Sequence, residues 1–225
     1  VSDVEEEYWV AYSDEEMVGY LSSIDGDTID LYAVWERNSY QVRYNANGGY
    51  KKVSLEMNLT EETNHWTLDD NGVYKSGNKR VKSSTSTIKS KEFTLTETGT
   101  ISFDWAVSSE GGNYDYLYYT LYKDGSTTAL SGTGTSTKIG GNSNITNESD
   151  LTYITVTKEL EAGTYVLQFS YRKDSSGDSG LDTGYVKNIK ISENMNNSSH
   201  TTGTKSKLSK NEYTKLGYTF KGWST

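Results

Sequence analysis

Apolar and polar residues alternate with a period of two along much of this chain. Ile101, Phe103, Trp105 and Val107 alternate with Ser102, Asp104 and Ala106, and Tyr165, Leu167, Phe169 and Tyr171 alternate with Val166, Gln168 and Ser170. In extended backbone that spacing gives each face of a strand its own set of side chains, so both stretches are predicted strands. Val42 with Tyr44, and Leu31 with Ala33 and Trp35, predict two shorter ones. Clusters of Gly, Asn, Asp and Ser separate the runs at Asp69, Glu110 and Lys123. The polar stretch from Gly132 to Asp150 reads as a surface loop. A helical period is hard to find, and Glu5 to Met17 is the least poor candidate. Short alternating strands without a βαβ rhythm predict an all-β fold, an antiparallel sandwich.

Composition narrows the function classes. With 225 residues there is room for one medium domain and a small one. Hydrophobic residues make up only 33%, yet there are 19 tyrosines and 5 tryptophans, so tyrosine rings must serve both core and surface. The absence of cysteine excludes disulfides and thiolate chemistry. A net charge of −9 argues against nucleic acid and anionic membrane surfaces as partners, because phosphates need clustered Lys and Arg. No apolar run approaches the roughly 20 residues that span a bilayer as a helix.

Three short segments carry a first resemblance. SYQVRYNANGGY from Ser39, YTKLGYTFKGWST from Tyr213 and IDLYAVWE from Ile29 resemble the Listeria–Bacteroides repeat, or internalin B-repeat, of bacterial surface proteins. The closing piece of one repeat stands first, and the next opens at Tyr40 but resumes only near Leu216. The resemblance implies a small β-rich, β-grasp-like repeat unit interrupted by an inserted domain, within a fragment of a longer chain. The expected boundaries are 1–50 and 207–225 for the repeat pieces and 51–206 for the insert. Tyr32, Trp35 and Tyr44 are expected to cover Phe220 and Trp223, with Ile29–Trp35 pairing beside Tyr40–Tyr44, either within one molecule or across a swapped dimer.

The insert carries a second resemblance. HWTLDDNGVYKSGN from His65, GTISFDWAVSSEGGNYDYLYYTLYKDG from Gly99 and LEAGTYVLQFSYRKDSSGDSGLDTGYVKNIKIS from Leu160 look like the jelly-roll modules of the MAM and cleaved-adhesin type. That likeness implies an antiparallel jelly-roll sandwich that binds at a cell surface. One departure is Lys187, which stands where the family pattern carries Asp.

Catalysis is not expected. His65 and His200 are the only histidines, neither beside a convincing nucleophile, and too few for a zinc site. Calcium is the expected cofactor, because it takes six to eight oxygens and the loops are rich in Asp, Asn and Gly. Glu110 with Asp115, and Asp174 with Asp178 and Asp182, are the candidate ligands; Asp69, Asp70 and Asn71 form a third cluster. All of these also suit plain turns. In YDYLYYTLY, the side chains of Tyr114, Tyr116, Tyr118 and Tyr122 share one face, and Asp115, Leu117, Tyr119 and Leu121 the other. The first three tyrosines are candidates for a ligand platform, though a tyrosine-rich core would give the same pattern.

Two functions are therefore open. One is a non-catalytic, secreted adhesin-like or carbohydrate-binding module at a bacterial cell surface, carried on a repeat stalk and recognising a host protein or glycan. The other is a structural spacer with no ligand of its own.

Overall fold

The computed structural model describes residues 12, 13, 15–60, 65–112 and 114–225. The helical candidate Glu5–Met17 falls largely outside them. Fourteen strands are present among the described residues. They begin with β1 (Ser39–Asn45), β2 (Lys51–Val53), β3 (Met57–Asn58), β4 (Thr67–Leu68), β5 (Tyr74–Lys75), β6 (Thr85–Ser90) and β7 (Phe93–Leu95). They continue with β8 (Gly99–Ser108), β9 (Tyr116–Lys123), β10 (Ile139–Gly140), β11 (Ile154–Leu160), β12 (Gly163–Arg172), β13 (Thr183–Glu193) and β14 (Met195–Thr201). Two 3₁₀ turns, Gly134–Thr137 and Glu148–Asp150, are the only helical pieces described.

Two antiparallel sheets face each other. The front sheet runs β10-β9-β12-β6-β3, with β7 also on β12; the back sheet runs β11-β8-β13-β5-β4, with β2 also on β13. From β8 the chain goes to the front for β9 and β10, to the back for β11, to the front for β12 and to the back for β13. This is an all-β, antiparallel jelly-roll sandwich.

The period-two residues meet between the sheets. Ile101, Phe103, Trp105 and Val107 of β8 and Tyr165, Leu167, Phe169 and Tyr171 of β12 are all buried in one core, with Leu117, Tyr119 and Leu121 of β9. Phe103 is its hub, edge-on to Phe169 at 4.8 Å, Tyr119 at 5.0 Å and Trp105 at 5.5 Å. Edge-to-face contacts of this kind stabilise by about 0.5–1.5 kcal/mol each beyond the buried area.

Strand β13 needs one irregularity to join this core. Val186 lies opposite Trp105 and Ile191 opposite Ile101, so five residue steps on β13 match four on β8. Without an extra residue Ile191 would face outward, because a shift of one reverses every later side chain. A bulge between Lys187 and Lys190 absorbs it, with Asn188 at φ +55°.

The stretch 132–150, expected to be a plain surface loop, is partly built onto the sandwich. Leu130 N–H donates to Leu121 O at 2.8 Å, the Leu121 N–H donates to Thr133 Oγ1 at 3.3 Å, and β10 pairs with Leu117 and Tyr116. These bonds cover the outer edge of β9, which would otherwise present unpaired backbone groups.

Contacts divide the chain into two compact units, one of residues 1–41 with 199–207 and one of 42–198 with 208–225. In the larger unit, Tyr44 packs on Trp223 at 4.8 Å between ring centres, and Phe220 and Tyr213 meet the same indole at 5.0 and 6.2 Å. Tyr44 thus supplies one expected aromatic partner of Trp223. In the smaller unit, Ile29–Trp35 is not a strand, and Tyr32 and Trp35 are 77% and 88% exposed. The expected pairing of that segment beside Tyr40–Tyr44 is not formed, since β1 is paired with β14 instead. Alternation alone does not provide a ladder partner.

Candidate functional site

Antiparallel pairing brings the acidic loops to one end of the sandwich. Glu110 follows the end of β8, Asp115 precedes β9, Asp174 follows β12 and Asp182 precedes β13. Strand ends and strand starts therefore converge there. Glu110, Asp115 and Asp174 each offer a carboxylate oxygen within 4.8 Å of the others. Calcium–oxygen bonds of about 2.3–2.6 Å allow two ligands of one ion to stand up to about 5 Å apart, so this donor set fits a hard cation.

Glu110 has the least satisfied carboxylate of the three. Its Oε1 is buried without a hydrogen-bond partner. Burial, and then the charges of Asp174 and Asp115, raise its pKa above the usual glutamate value. The loop lies directly on this carboxylate: a Cβ at Gly177, whose φ is +62°, would fall 1.9 Å from Glu110 Oε2. Asp115 is held on both oxygens, with Oδ1 accepting from Asp174 N–H at 2.9 Å and Oδ2 facing Lys173 Nζ at 3.1 Å. Asp174 Oδ1 accepts from Ser176 N–H at 2.7 Å.

The remaining two candidates turn elsewhere. Asp182 is bonded to Lys173 Nζ and accepts from Tyr171 O–H at 3.2 Å and Arg80 N–H at 2.6 Å; Asp178 lies 3.5 Å from the same ammonium. Lys173 is fully buried. Burial alone would lower its pKa, but the bonds to Asp182 and Asp115 outweigh that and raise it. A buried charge demands such partners. Lys173 escaped the sequence reading, although it continues the inward series Tyr165, Leu167, Phe169, Tyr171 by one step. Asp115, Asp178 and Asp182 stand within 3.5 Å of this ammonium, and Glu110 and Asp174 are grouped with Asp115 beside them. Glu110 and Asp174, with Asp115 beside them, are the residues that would hold an ion.

The third cluster is turn chemistry. Asp69 accepts from Val73 N–H at 2.9 Å and Asn71 N–H at 3.0 Å, and the Val73 bond leads the causes that lower its pKa. His65 is exposed, whereas His200 is buried and stacked on Tyr40 at 5.6 Å.

The tyrosine strand splits as its parity requires. Leu117, Tyr119 and Leu121 enter the core, and Tyr116, Tyr118, Thr120 and Tyr122 lie on the outer face of the front sheet, opposite Arg172, Ser170, Gln168 and Val166 of β12. Tyr114 lies in the turn before β9 and is 62% exposed. Tyr116 is only 7% exposed, because Lys138 Nζ lies 4.5 Å and Arg172 Cζ 5.7 Å from its ring centre. Tyr118 is half-buried, 5.9 Å from Tyr116 between centroids. At the far end Tyr122 and Val166 line a hollow of about 390 Å³ with Lys89, Glu92, Ser126 and Thr127. Six residue steps separate Tyr116 from Tyr122, a strip about 20 Å long. Arg172 was legible as outward-facing from the parity of β12; Lys138, from the long polar stretch, was not.

Fold and site thus define a jelly-roll sandwich with an acidic loop end and a tyrosine-bearing outer sheet. No protein family pattern and no curated protein matches the chain. Among solved structures, it is similar to the secreted serine protease VesC from Vibrio cholerae, at 20% identity over 55% of this chain and TM-score 0.38. It spans only 22% of that protease. The K3 cleaved adhesin domain of Lys-gingipain from Porphyromonas gingivalis aligns at 16% identity over 69% of this chain and 99% of its own, with TM-score 0.37. A CBM35 from Paenibacillus barcinonensis aligns at 15% over 67% and 97%, with TM-score 0.31. No helix among the described residues is long and apolar enough to cross a membrane.

Proposed function

We propose that the sandwich is a non-catalytic recognition module of a bacterial surface protein, inserted into a repeat and presenting the outer face of its front sheet to a host glycan or protein. The observation that carries this reading is that face itself. Tyr118 and Tyr122 are half-exposed there, along a strip that ends in a hollow. Flat, rigid aromatic rings with the half-buried Thr87 and Gln168 beside them suit a sugar ring, which offers both apolar C–H faces and hydroxyls. Calcium bound on Glu110 and Asp174 would order the loop end beside Tyr116 and neutralise the carboxylates that Lys173 leaves uncompensated. That ion's role is structural.

A glycan array and a pull-down with host matrix proteins, each repeated with Tyr118→Ala/Tyr122→Ala, test the reading. Binding that is lost in the double variant supports it. No binding to either set favours the spacer instead.

A further inference from the structure

We infer that the Tyr116 end of this face is an anion subsite, built for a carboxylate carried on a sugar ring; the inference rests on the recognition reading above and names the ligand class. In a chain of net charge −9, two cations converge over one tyrosine. Arg172 Nη1 donates to Tyr116 Oη at 2.7 Å, and its guanidinium and the Lys138 ammonium both lie over the same ring. Among the described residues, neither cation forms an ion pair with a carboxylate. Both are exposed.

Each cation is attracted to the face of the ring by its quadrupole. Backbone placement imposes the arrangement: Arg172 pairs across from Tyr116, and Lys138 directly precedes the β10 residues that pair with Leu117 and Tyr116. What the arrangement lacks is an anion. A guanidinium presents paired donors that match the two oxygens of a carboxylate, and an ammonium beside it adds a second charge-assisted bond. Next to Arg172 lies a polar hollow of about 360 Å³ lined by Ser83, Ser84 and Thr85, whose hydroxyls suit the rest of a sugar. Asp174 also lines it, and its carboxylate directs the acid of the ligand to the Arg172 and Lys138 side. Tyr118, one step along the strip, supplies the stacking surface. The occupant is a uronate-bearing saccharide.

The test compares hyaluronan and polygalacturonate with their methyl esters, which keep the backbones and remove the charge, by affinity electrophoresis at fixed calcium. At least one acidic polymer should be retarded, at least tenfold more strongly than its ester, and the preference should shrink as salt is added. Arg172→Ala/Lys138→Ala should abolish the preference while the β-sheet circular dichroism and a cooperative unfolding transition are retained. Equal binding of acid and ester, or an unchanged preference in the double variant, overturns the inference. Retention of neutral glycans alone overturns it while leaving the recognition reading standing. Loss of all glycan and protein binding ends both.

Discussion

The ammonium of Lys173 lies 3.1 Å from Asp115 Oδ2, and neither side chain has any solvent exposure. Lys91 and Glu56 are closer, at 2.8 Å, but are 66% and 67% exposed. Burial, not distance, separates the two pairs energetically. Removing one partner of a buried pair strands the other charge, which costs about 3–5 kcal/mol, whereas exposed pairs contribute about 0–1 kcal/mol. Lys173→Met should therefore lose about 3–5 kcal/mol in urea unfolding, and Lys91→Met less than about 1 kcal/mol.

Glu110 sets a pH dependence of opposite sign to that of a paired carboxylate. Its folded pKa is raised by burial and by its acidic neighbours, so between the ordinary glutamate value and the folded one the native state holds more protons than the unfolded state. Stability then falls as pH rises through that window. In chelator, unfolding measured from about pH 4.5 upward should show this loss, and Glu110→Gln should remove it. Calcium, which needs the ionised form, should restore stability at neutral pH in the native protein and not in the variant. An unchanged midpoint on adding calcium would sink the ion.

Gly177 tests the same site without replacing a ligand. Alanine there meets both a positive φ and the Glu110 carboxylate. Gly177→Ala should displace Glu110, weaken any calcium response at least tenfold by calorimetry and cost about 1–3 kcal/mol from the backbone alone.

Trp223 fastens the C-terminal stretch to the larger unit, through Tyr44, Tyr213 and Phe220 and through an indole N–H donated to Ser209 O at 3.1 Å. Ser209 N–H in turn donates to Tyr44 Oη at 3.0 Å. Trp223→Ala should raise amide exchange across 208–225, a local loss on the order of 2 kcal/mol, while the exchange of β8 and β12 stays unchanged. Light scattering separates the two arrangements: a monomer of 25.1 kDa supports closure within one chain, and a clean dimer supports the swap.

Parity along β8, β9 and β12 was enough to place the core and to put Asp115 on the inward side with Leu117, while turn chemistry named Glu110 with Asp115 and, as a separate cluster, Asp174 with Asp178 and Asp182; that Asp174 joins Glu110 and Asp115 is a long-range fact. Parity did not reveal what compensates them. Lys173 obeys the same parity as Tyr171, but it stands at the first residue of an acidic turn and reads as solvated there. Ile29–Trp35 shows the converse error: alternation describes two faces, and an unpaired backbone forms no strand. The Gly132–Asp150 stretch is polar because it uses backbone and hydroxyl groups to cover an edge, which hydropathy does not report. Lys138 and Arg172 meet only through the β9 ladder, a long-range fact.

Asn188 offers the sharpest test of how the fold positions the back sheet. It occupies φ +55° in the bulge and donates from Nδ2 to Asp104 Oδ2 at 2.7 Å, while Thr155 Oγ1 donates to Oδ1 at 2.6 Å. The Asn188 bond, then the Thr155 bond, hold the Asp104 carboxyl below its usual range. A depressed carboxyl contributes stability that is present above its unfolded pKa and is lost as pH falls towards the folded one. Asparagine tolerates left-handed backbone far better than a β-branched residue does. Asn188→Gly should keep the bulge and lose only the Asp104 bond, about 1 kcal/mol, with a smaller loss of stability on acidification. Asn188→Val adds backbone strain and should cost about 2–4 kcal/mol in total. If valine were accommodated as easily as glycine, the bulge would not be what keeps both Val186 and Ile191 in the core.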